Sequence, residues 1–338
     1  MGAGSTGGFF GGMLARAGND VFLIARGANL EALRANGLKV IRDDEEFTVQ
    51  CNATDDPSEV GPVDLVLLCV KTYQSESALP SMKPLVGPGT TVLCLQNGID
   101  SYLPVAAALG KSTTLPGAAF IEANLIGPGV VRQSGSLVRI ILGEPFLAEP
   151  EPAPANSEAN PDGVPAEGME SGGHGSERCQ AIRDVFMEAG IPAEVLPDIS
   201  AGLWGKFLFI ATMAGITSMA RAPLSALIPQ PAWRKVVEEC LTEVYDVGRG
   251  CGVDLPNETV PNTVKYIEEH LADLQASMHT DIMGGRPLEL EALTCAVIRS
   301  GIQAGVPTPV NDVIYAMLKD YEHGSSTGAG AHGVSGAP

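Results

Sequence analysis

The first six residues after Met1, Gly2-Ala3-Gly4-Ser5-Thr6-Gly7, fit the pattern G-x-G-x-x-G, and Gly8, Gly11 and Gly12 extend it. Such spacing suits a phosphate cradle. The first glycine permits a tight turn, the second lets backbone amides approach a pyrophosphate, and the third lets a helix pack closely on a strand. Ser5 and Thr6 then open a helix whose positive N-terminus faces the phosphates. A glycine-rich start is also common in loose termini, but here the context favours the cradle: Phe9–Arg16 reads as a helix, Gly18-Asn19 can stop it, and DVFLIA (20–25) reads as a strand. Arg26 follows that strand, at the place where NAD enzymes carry an acid for the ribose hydroxyls. A cation there suits the 2′-phosphate of NADP(H); the alternative is an ordinary solvated arginine.

Other candidates are single side chains in telling places. Lys206 interrupts the apolar stretch LWGKFLFIA, where a lysine either serves a site or snorkels to water. Asn97, in LQNGID, follows a strand at the carboxyl edge where open α/β sheets bind ligands, although Asn-Gly also forms turns. Lys71 ends the apolar strand Asp64–Val70. Glu289 falls in the first turn of a helix opened by Pro287, where the helix dipole alone favours an acid. The seven cysteines are scattered without a C-x-x-C pair, so they read as reduced, mostly buried thiols, and no metal is expected.

Positioning these residues requires two kinds of architecture. Strand-like and helix-like stretches alternate up to about residue 197: strands at Asp20–Ala25, Asp64–Val70 and Thr91–Leu95, a helix at Leu30–Asn36, two short strands (VVRQ and LVRIILG) within Gly129–Gly143, a helix at Arg178–Ala189 and a strand at Ala193–Leu196. The reading is an α/β fold, an N-terminal Rossmann-type parallel sheet flanked by helices over residues 1–197. Residues 148–177 are rich in Pro, Gly, Ala, Ser and Glu and read as a disordered insertion. Residues 198–323 read as an all-helical C-terminal domain, with helices at Ser200–Met219, Trp233–Gly250, Asn257–Ile282, Leu288–Ala304 and Asn311–Tyr321; residues 324–338 read as a disordered tail.

The glycine fingerprint needs a strand immediately before it, and only Met1 precedes Gly2. Without that strand the loop loses its anchor and its neighbours lose their hydrogen-bond ladder. The expectation is that Met1 is an internal methionine taken for the start, with about six strand residues missing, and a true truncation is the rival. Acidic residues outnumber basic ones 40 to 21, giving a net charge of −19, which works against nucleic acid as a partner. No signal peptide is visible, and the most apolar run, Val63–Val70, is too short to span a bilayer. A cytoplasmic protein with no membrane partner is expected. A helical C-terminal domain leaves room for a homodimer, but no exposed heptad or apolar stripe argues for one.

Taken together, GAGSTGGFFGG, IARG, CVKTY, LQNGID, LWGKFLFIA, SMHTDIMGGRPLELEAL and GVPTPVNDVIYAMLK make the chain resemble the ketopantoate reductase (2-dehydropantoate 2-reductase) family over nearly its whole length. The resemblance implies a Rossmann domain and a helical domain with the active site between them. It implies NADPH-dependent reduction of a small-molecule 2-oxo acid, with Lys206 protonating the oxygen as hydride reaches C2. Such a cation is what the developing charge requires. It also implies that Asn97 contacts substrate and nicotinamide, that Lys71 lies on the cofactor side, that Glu289 takes a substrate hydroxyl, and that Ser277 helps hold the substrate carboxylate. Glu291 is the weaker acid and reads as structural.

The chain departs from the family at Ile210 and Ala214. These substrate-facing positions, four and eight residues after the lysine, carry asparagine in the well-defined members. A site without those amides discriminates less among 2-oxo acids. Ketopantoate is the first reading. A different 2-oxo acid, another two-domain dehydrogenase, or a non-catalytic relative are the alternatives.

Overall fold

The computed structural model describes residues 1–43, 45–145, 176–270 and 276–324. The expected insertion 148–177 and tail 324–338 therefore lie outside the described residues, except Ser176, Glu177 and Gly324; Glu177 already belongs to a helix.

The first part alternates strands and helices as expected, with more strands than the pattern suggested. In chain order it runs α1 (Ser5–Arg16), β1 (Phe22–Ile24), α2 (Gly27–Asn36), β2 (Leu38–Ile41), β3 (Glu46–Val49), β4 (Asn52–Thr54), β5 (Leu65–Leu68), α3 (Ser75–Met82), β6 (Thr91–Cys94), α4 (Tyr102–Leu109), β7 (Thr114–Gly127), β8 (Val130–Leu142), α5 (Glu177–Glu188) and β9 (Ala193–Val195). The main sheet has the order β3-β2-β8-β7-β6-β5, with β9 also on β8. Strands β5, β6 and β7 are parallel, and β2 and β9 run parallel to β8, while β7 with β8 and β2 with β3 are antiparallel. The apolar run LVLL of β5 suits a strand covered on both faces.

The two short strands expected within Gly129–Gly143 are one long strand. In β8 the register against β7 shifts between Ile121 and Glu122, whose partners are Val138 and Ser134. This bulge separates VVRQ, whose first three residues pair with β2, from the second half, which pairs with β9.

At the other edge, β1 pairs only with β4 among the described residues, and the sheet is divided between β1 and β5. The first three residues bridge the gap: the Met1 amine donates to Leu67 O (2.8 Å), Cys69 N donates to Met1 O (2.9 Å), and Gly2 N and Ala3 N donate to Ile24 O (3.3 and 3.0 Å). The expectation of an unanchored glycine loop is therefore corrected, because these bonds hold it to both neighbours. The expected loss of ladder is seen: beside this bridge runs a cavity of about 710 Å³, lined by β1, β5, Leu14 of α1 and Val185 of α5.

The second part is helical: α6 (Ile199–Ala220), α7 (Leu224–Leu227), α8 (Pro231–Gly250), α9 (Thr259–Glu269), α10 (Ser277–Met283), α11 (Thr294–Ala304) and α12 (Pro309–Leu318). Among the described residues, helix α6 is the one helix long and apolar enough by length and composition to cross a bilayer; here 61% of its apolar window is buried as the core helix. It packs against α8, α10 and α12, which explains why it is apolar all round. Asp198 caps it, accepting from Ser200 N and Ala201 N.

Two expected helices begin or end elsewhere. The single helix expected over Asn257–Ile282 is α9 and α10, with His270 as the end of α9. The helix expected from Leu288 starts at Thr294; residues 288 and 289 have no regular secondary structure and 290–293 form a turn. Leu288 N is taken by Glu322 O (2.9 Å), so the chain there is tied to the C-terminal end of the fold instead of coiling.

The thiols are free, as expected, but only Cys94, Cys179 and Cys240 are buried, and Cys251 is exposed.

Candidate active site

The glycine loop is built as its sequence requires. Gly2 takes φ +91°, and a Cβ on Gly7 would stand 2.2 Å from Gly2 O, so the turn and the helix start close on one another only without side chains. Gly4 precedes α1, has no side-chain cap, and a Cβ there would meet nothing within 4 Å. Open approach to the uncapped N–H groups of Ser5 and Thr6 fits a pyrophosphate. Arg26 follows β1 at the start of α2; it is exposed, and its guanidinium has no hydrogen bond or ion pair among the described residues. Its position and freedom fit an added phosphate on a ribose.

Across from this loop, β5 and β6 end in the segments carrying Lys71 and Asn97. Gln96 ties the two segments, its Nε2 donating to Val70 O (2.8 Å) and Ser75 Oγ (2.9 Å). Gly98, with φ +113°, lets the Asn97 loop press against the turn before α11, since a Cβ there would lie 3.2 Å from Ala292 O.

Lys206 comes from the second turn of α6 and donates from Nζ to Asn97 Oδ1 at 3.0 Å. The bond joins residues 109 positions apart, one from each part of the chain. The same ammonium lies 5.6 Å from the centroid of the Phe120 ring on β7. Burial pulls the Lys206 pKa down to about 8, against the opposing pull of the Glu289 charge. A lysine so tuned is still mostly protonated at neutral pH, yet gives up its proton far more readily than an exposed one.

Glu289 is 5% exposed and is held by the first part of the chain. Its Oε1 accepts from Thr72 N and Thr72 Oγ1, both at 3.1 Å, and its Oε2 accepts from Lys71 Nζ at 3.0 Å. Lys71 also donates to Asp281 Oδ2 (3.1 Å), and Arg286 Nε donates to Asp281 Oδ1 (2.8 Å). Burial works against the charge on Lys71, but the two carboxylates outweigh it and raise its pKa above the ordinary lysine value. The position of Glu289 is therefore not explained by a helix dipole, because no helix starts until Thr294.

Ser277 opens α10 one turn before Asp281, on the same side of the helix; it is exposed, and its hydroxyl has no hydrogen bond among the described residues. Ile210 and Ala214 follow Lys206 by one and two turns of α6, the first half-buried and the second buried. Glu291 stands apart: it accepts from Tyr315 Oη (2.8 Å) and Lys319 Nζ (2.9 Å), a tie between the turn before α11 and the end of α12.

Sequence reasoning missed Thr72, Asp281 and Phe120. A threonine after a lysine at a strand end and an aspartate in a short helix carry no spacing signal. Phe120 reads as ordinary β-strand filler. The cavity beside β1 and β5 reaches Gly2, Ala3 and Gly7 of the glycine loop but is not lined by Lys206, Asn97 or Glu289.

The arrangement has counterparts in known proteins. Residues 1–145 match the family model described as ketopantoate reductase PanE/ApbA, and residues 198–322 match its C-terminal model. The chain is 30% identical to the 2-dehydropantoate 2-reductase of Mesorhizobium japonicum, covering 94% of this chain and 95% of that one. Among solved structures, the 2-dehydropantoate 2-reductase from Geobacter metallireducens is 27% identical with a TM-score of 0.82, covering 95% of this chain and 98% of that one. The PanE/ApbA family ketopantoate reductase from Ralstonia eutropha is 28% identical with a TM-score of 0.80, covering 95% and 97%. Both halves of the fold match models of one family of pyridine nucleotide-dependent oxidoreductases, and the chain belongs to the ketopantoate reductase family.

Proposed function

We propose that this chain reduces 2-dehydropantoate (ketopantoate) to pantoate with NADPH, a cytoplasmic step of pantothenate and coenzyme A synthesis. The observation that carries the reading is the 3.0 Å bond from Lys206 Nζ to Asn97 Oδ1. It presents a buried ammonium at the carboxyl edge of the sheet, where open α/β folds bind their ligands. A nicotinamide dinucleotide bound on the glycine loop supplies the hydride.

The chain's own groups do the rest. Lys206 points its N–H bonds at the carbonyl oxygen, stabilises the charge growing there and delivers the proton that makes it a hydroxyl. Asn97 fixes the direction of that ammonium. Lys71, with Thr72, orients Glu289 toward the same space, where the carboxylate can accept from a substrate hydroxyl. Ser277, at the exposed start of α10, offers a donor to the substrate carboxylate. Gly2, Gly4, Ser5, Thr6 and Gly7 hold the pyrophosphate, and Arg26 takes the 2′-phosphate that separates NADPH from NADH. The division of labour follows a boundary near residues 197 and 198, with nucleotide contacts before it and the proton donor after it.

The test is spectrophotometric. NADPH oxidation should depend on 2-dehydropantoate, and NADH should be used with a Michaelis constant at least about tenfold higher, a difference that Arg26→Ala removes. Equal use of the two nucleotides by the parent protein would defeat the NADPH assignment.

A further inference from the structure

We propose that Phe120 is a positioning residue for the acid of the reaction: the face of its ring keeps the buried Lys206 ammonium charged and, with Asn97, aims it. This rests on the reductase reading above and adds to it a residue that acts through the lysine.

Lys206 is short of partners for its charge. An ammonium carries three N–H bonds, and among the described residues it makes one hydrogen bond, to Asn97 Oδ1 at 3.0 Å. Asn97 is neutral. Burial strips water from the amine, and a buried charge is costly unless something replaces that water. The Phe120 ring does so: Nζ lies over it, 5.6 Å from the centroid, within the range where the negative face of an aromatic ring attracts a cation.

The fold fixes the ring in that place. Strands β6 and β7 are parallel and Cys94 pairs with Pro116, so Asn97 and Phe120, a few residues further on, come to the same carboxyl edge. Phe120 packs against the cluster of Ala118, Ile141, Ile199 and Leu203, the last two from α6 just before the lysine. Across the strand pair it stands opposite Arg139 of β8. The Arg139 guanidinium also lies over the ring, 4.6 Å from its centroid, and pairs with Glu194 of β9 at 3.7 Å.

Other charges on the surrounding elements are accounted for. Glu289, in the stretch before α11, raises the Lys206 pKa, and its carboxylate is shared with Lys71, which Asp281 of α10 also holds. Glu122 is the one charged residue of β7, and Arg132 and Arg139 are those of β8. Glu243 of α8 is spent on the start of α12, accepting from Val310 N, Asn311 N and Asn311 Nδ2. Helices α8, α11 and α12 otherwise meet α6 through the apolar core.

The experiment titrates the amine directly, by NMR of the full chain carrying isotope-labelled lysine, with Lys206→Ala to assign the signal. At position 120 a phenylalanine fluorinated round its ring edge cancels the negative face and keeps the shape. The Lys206 midpoint should then fall by about 0.5–1.5 pH units, and Phe120→Tyr, which keeps the negative face, should leave it within about 0.3 units of the parent. The falling limb of the pH–rate profile with 2-dehydropantoate and NADPH should move with the midpoint. A midpoint unmoved by fluorination overturns the proposal, since a ring that only fills space is unchanged in that variant. A midpoint that falls in a protein turning over no 2-oxo acid sustains the hold of the ring on the lysine and overturns the reductase reading alone.

Discussion

In the proposed reduction the chemistry rests on one proton, that of Lys206. Burial brings its pKa to about 8, so the acid form required for reduction is present below that pH and is lost above it. Reduction should be nearly independent of pH from 6 to 7 and decline above about 8, approaching tenfold per unit; a profile flat to pH 10 would place the titrating group elsewhere. The Glu289 charge holds this pKa up against burial. Glu289→Gln should therefore move the falling limb to lower pH. It should also cost about 1–2 kcal/mol of stability in urea titration, a charge-assisted bond discounted for the partial exposure of Lys71. A limb that stays in place would separate Glu289 from the lysine. The sequence made Lys206 a candidate as a charge in an apolar stretch, Asn97 by its place after a strand, and Glu289 through the family resemblance. Their joining could not be read there: Lys206 and Asn97 are 109 residues apart, Lys71 and Glu289 218, and only folding brings such pairs together.

At the level of elements, two starts of helices carry the account. In the glycine loop a methyl group at position 7 would collide with Gly2 O at 2.2 Å, a backbone atom that cannot swing away. Gly7→Ala should lose detectable nucleotide binding by calorimetry, and retention of parental affinity would mean that the loop does not hold the phosphates. Asp198 holds the start of α6 through Ser200 N and Ala201 N. Asp198→Ala should lower stability by about 1 kcal/mol in denaturant titration, the usual worth of such a cap; no change would show that the tertiary contacts of α6 fix its start alone.

The elements themselves were mostly legible. Continuous apolar runs gave β5 and β6, and the glycines gave α1. Helix limits failed where tertiary ties outweigh local pattern, as at Leu288, whose N–H serves Glu322 O. Strands β2, β3 and β4 are three or four residues long and half polar, so no periodicity announces them.

Over the whole molecule, the striped pattern of the first part and the helical pattern of the second translate into two main cores, with two smaller clusters beside them, joined across the candidate site. One is built on Phe9, Phe10 and Phe186, the other on Trp204, Phe207 and Leu208. Lys71 donates to Asp281 and Glu289, Thr72 donates to Glu289, and Lys206 donates to Asn97, and these bonds cross between them. A cavity of about 710 Å³ lies between β1 and β5 in the first part. Apolar residues added before Met1 should be taken up there as a strand, since Leu67 O and Cys69 N already pair with Met1 in that direction. Five such residues should raise Tm by at least about 2–4 °C; an unchanged Tm would mean that the slot does not accept a strand. The expectation of a divided sheet came from the sequence, through what the glycine fingerprint demands in front of it. The three-residue bridge that holds the loop in place did not, because it rests on backbone bonds and not on side-chain identity.

The measurement closest to the centre is the turnover of 2-dehydropantoate and NADPH by Lys206→Ala, with folding checked by its thermal transition. A properly folded variant should lose more than about a hundredfold in kcat, the loss expected for a positioned general acid. A folded variant that turns over at a near-parental rate would contradict the account.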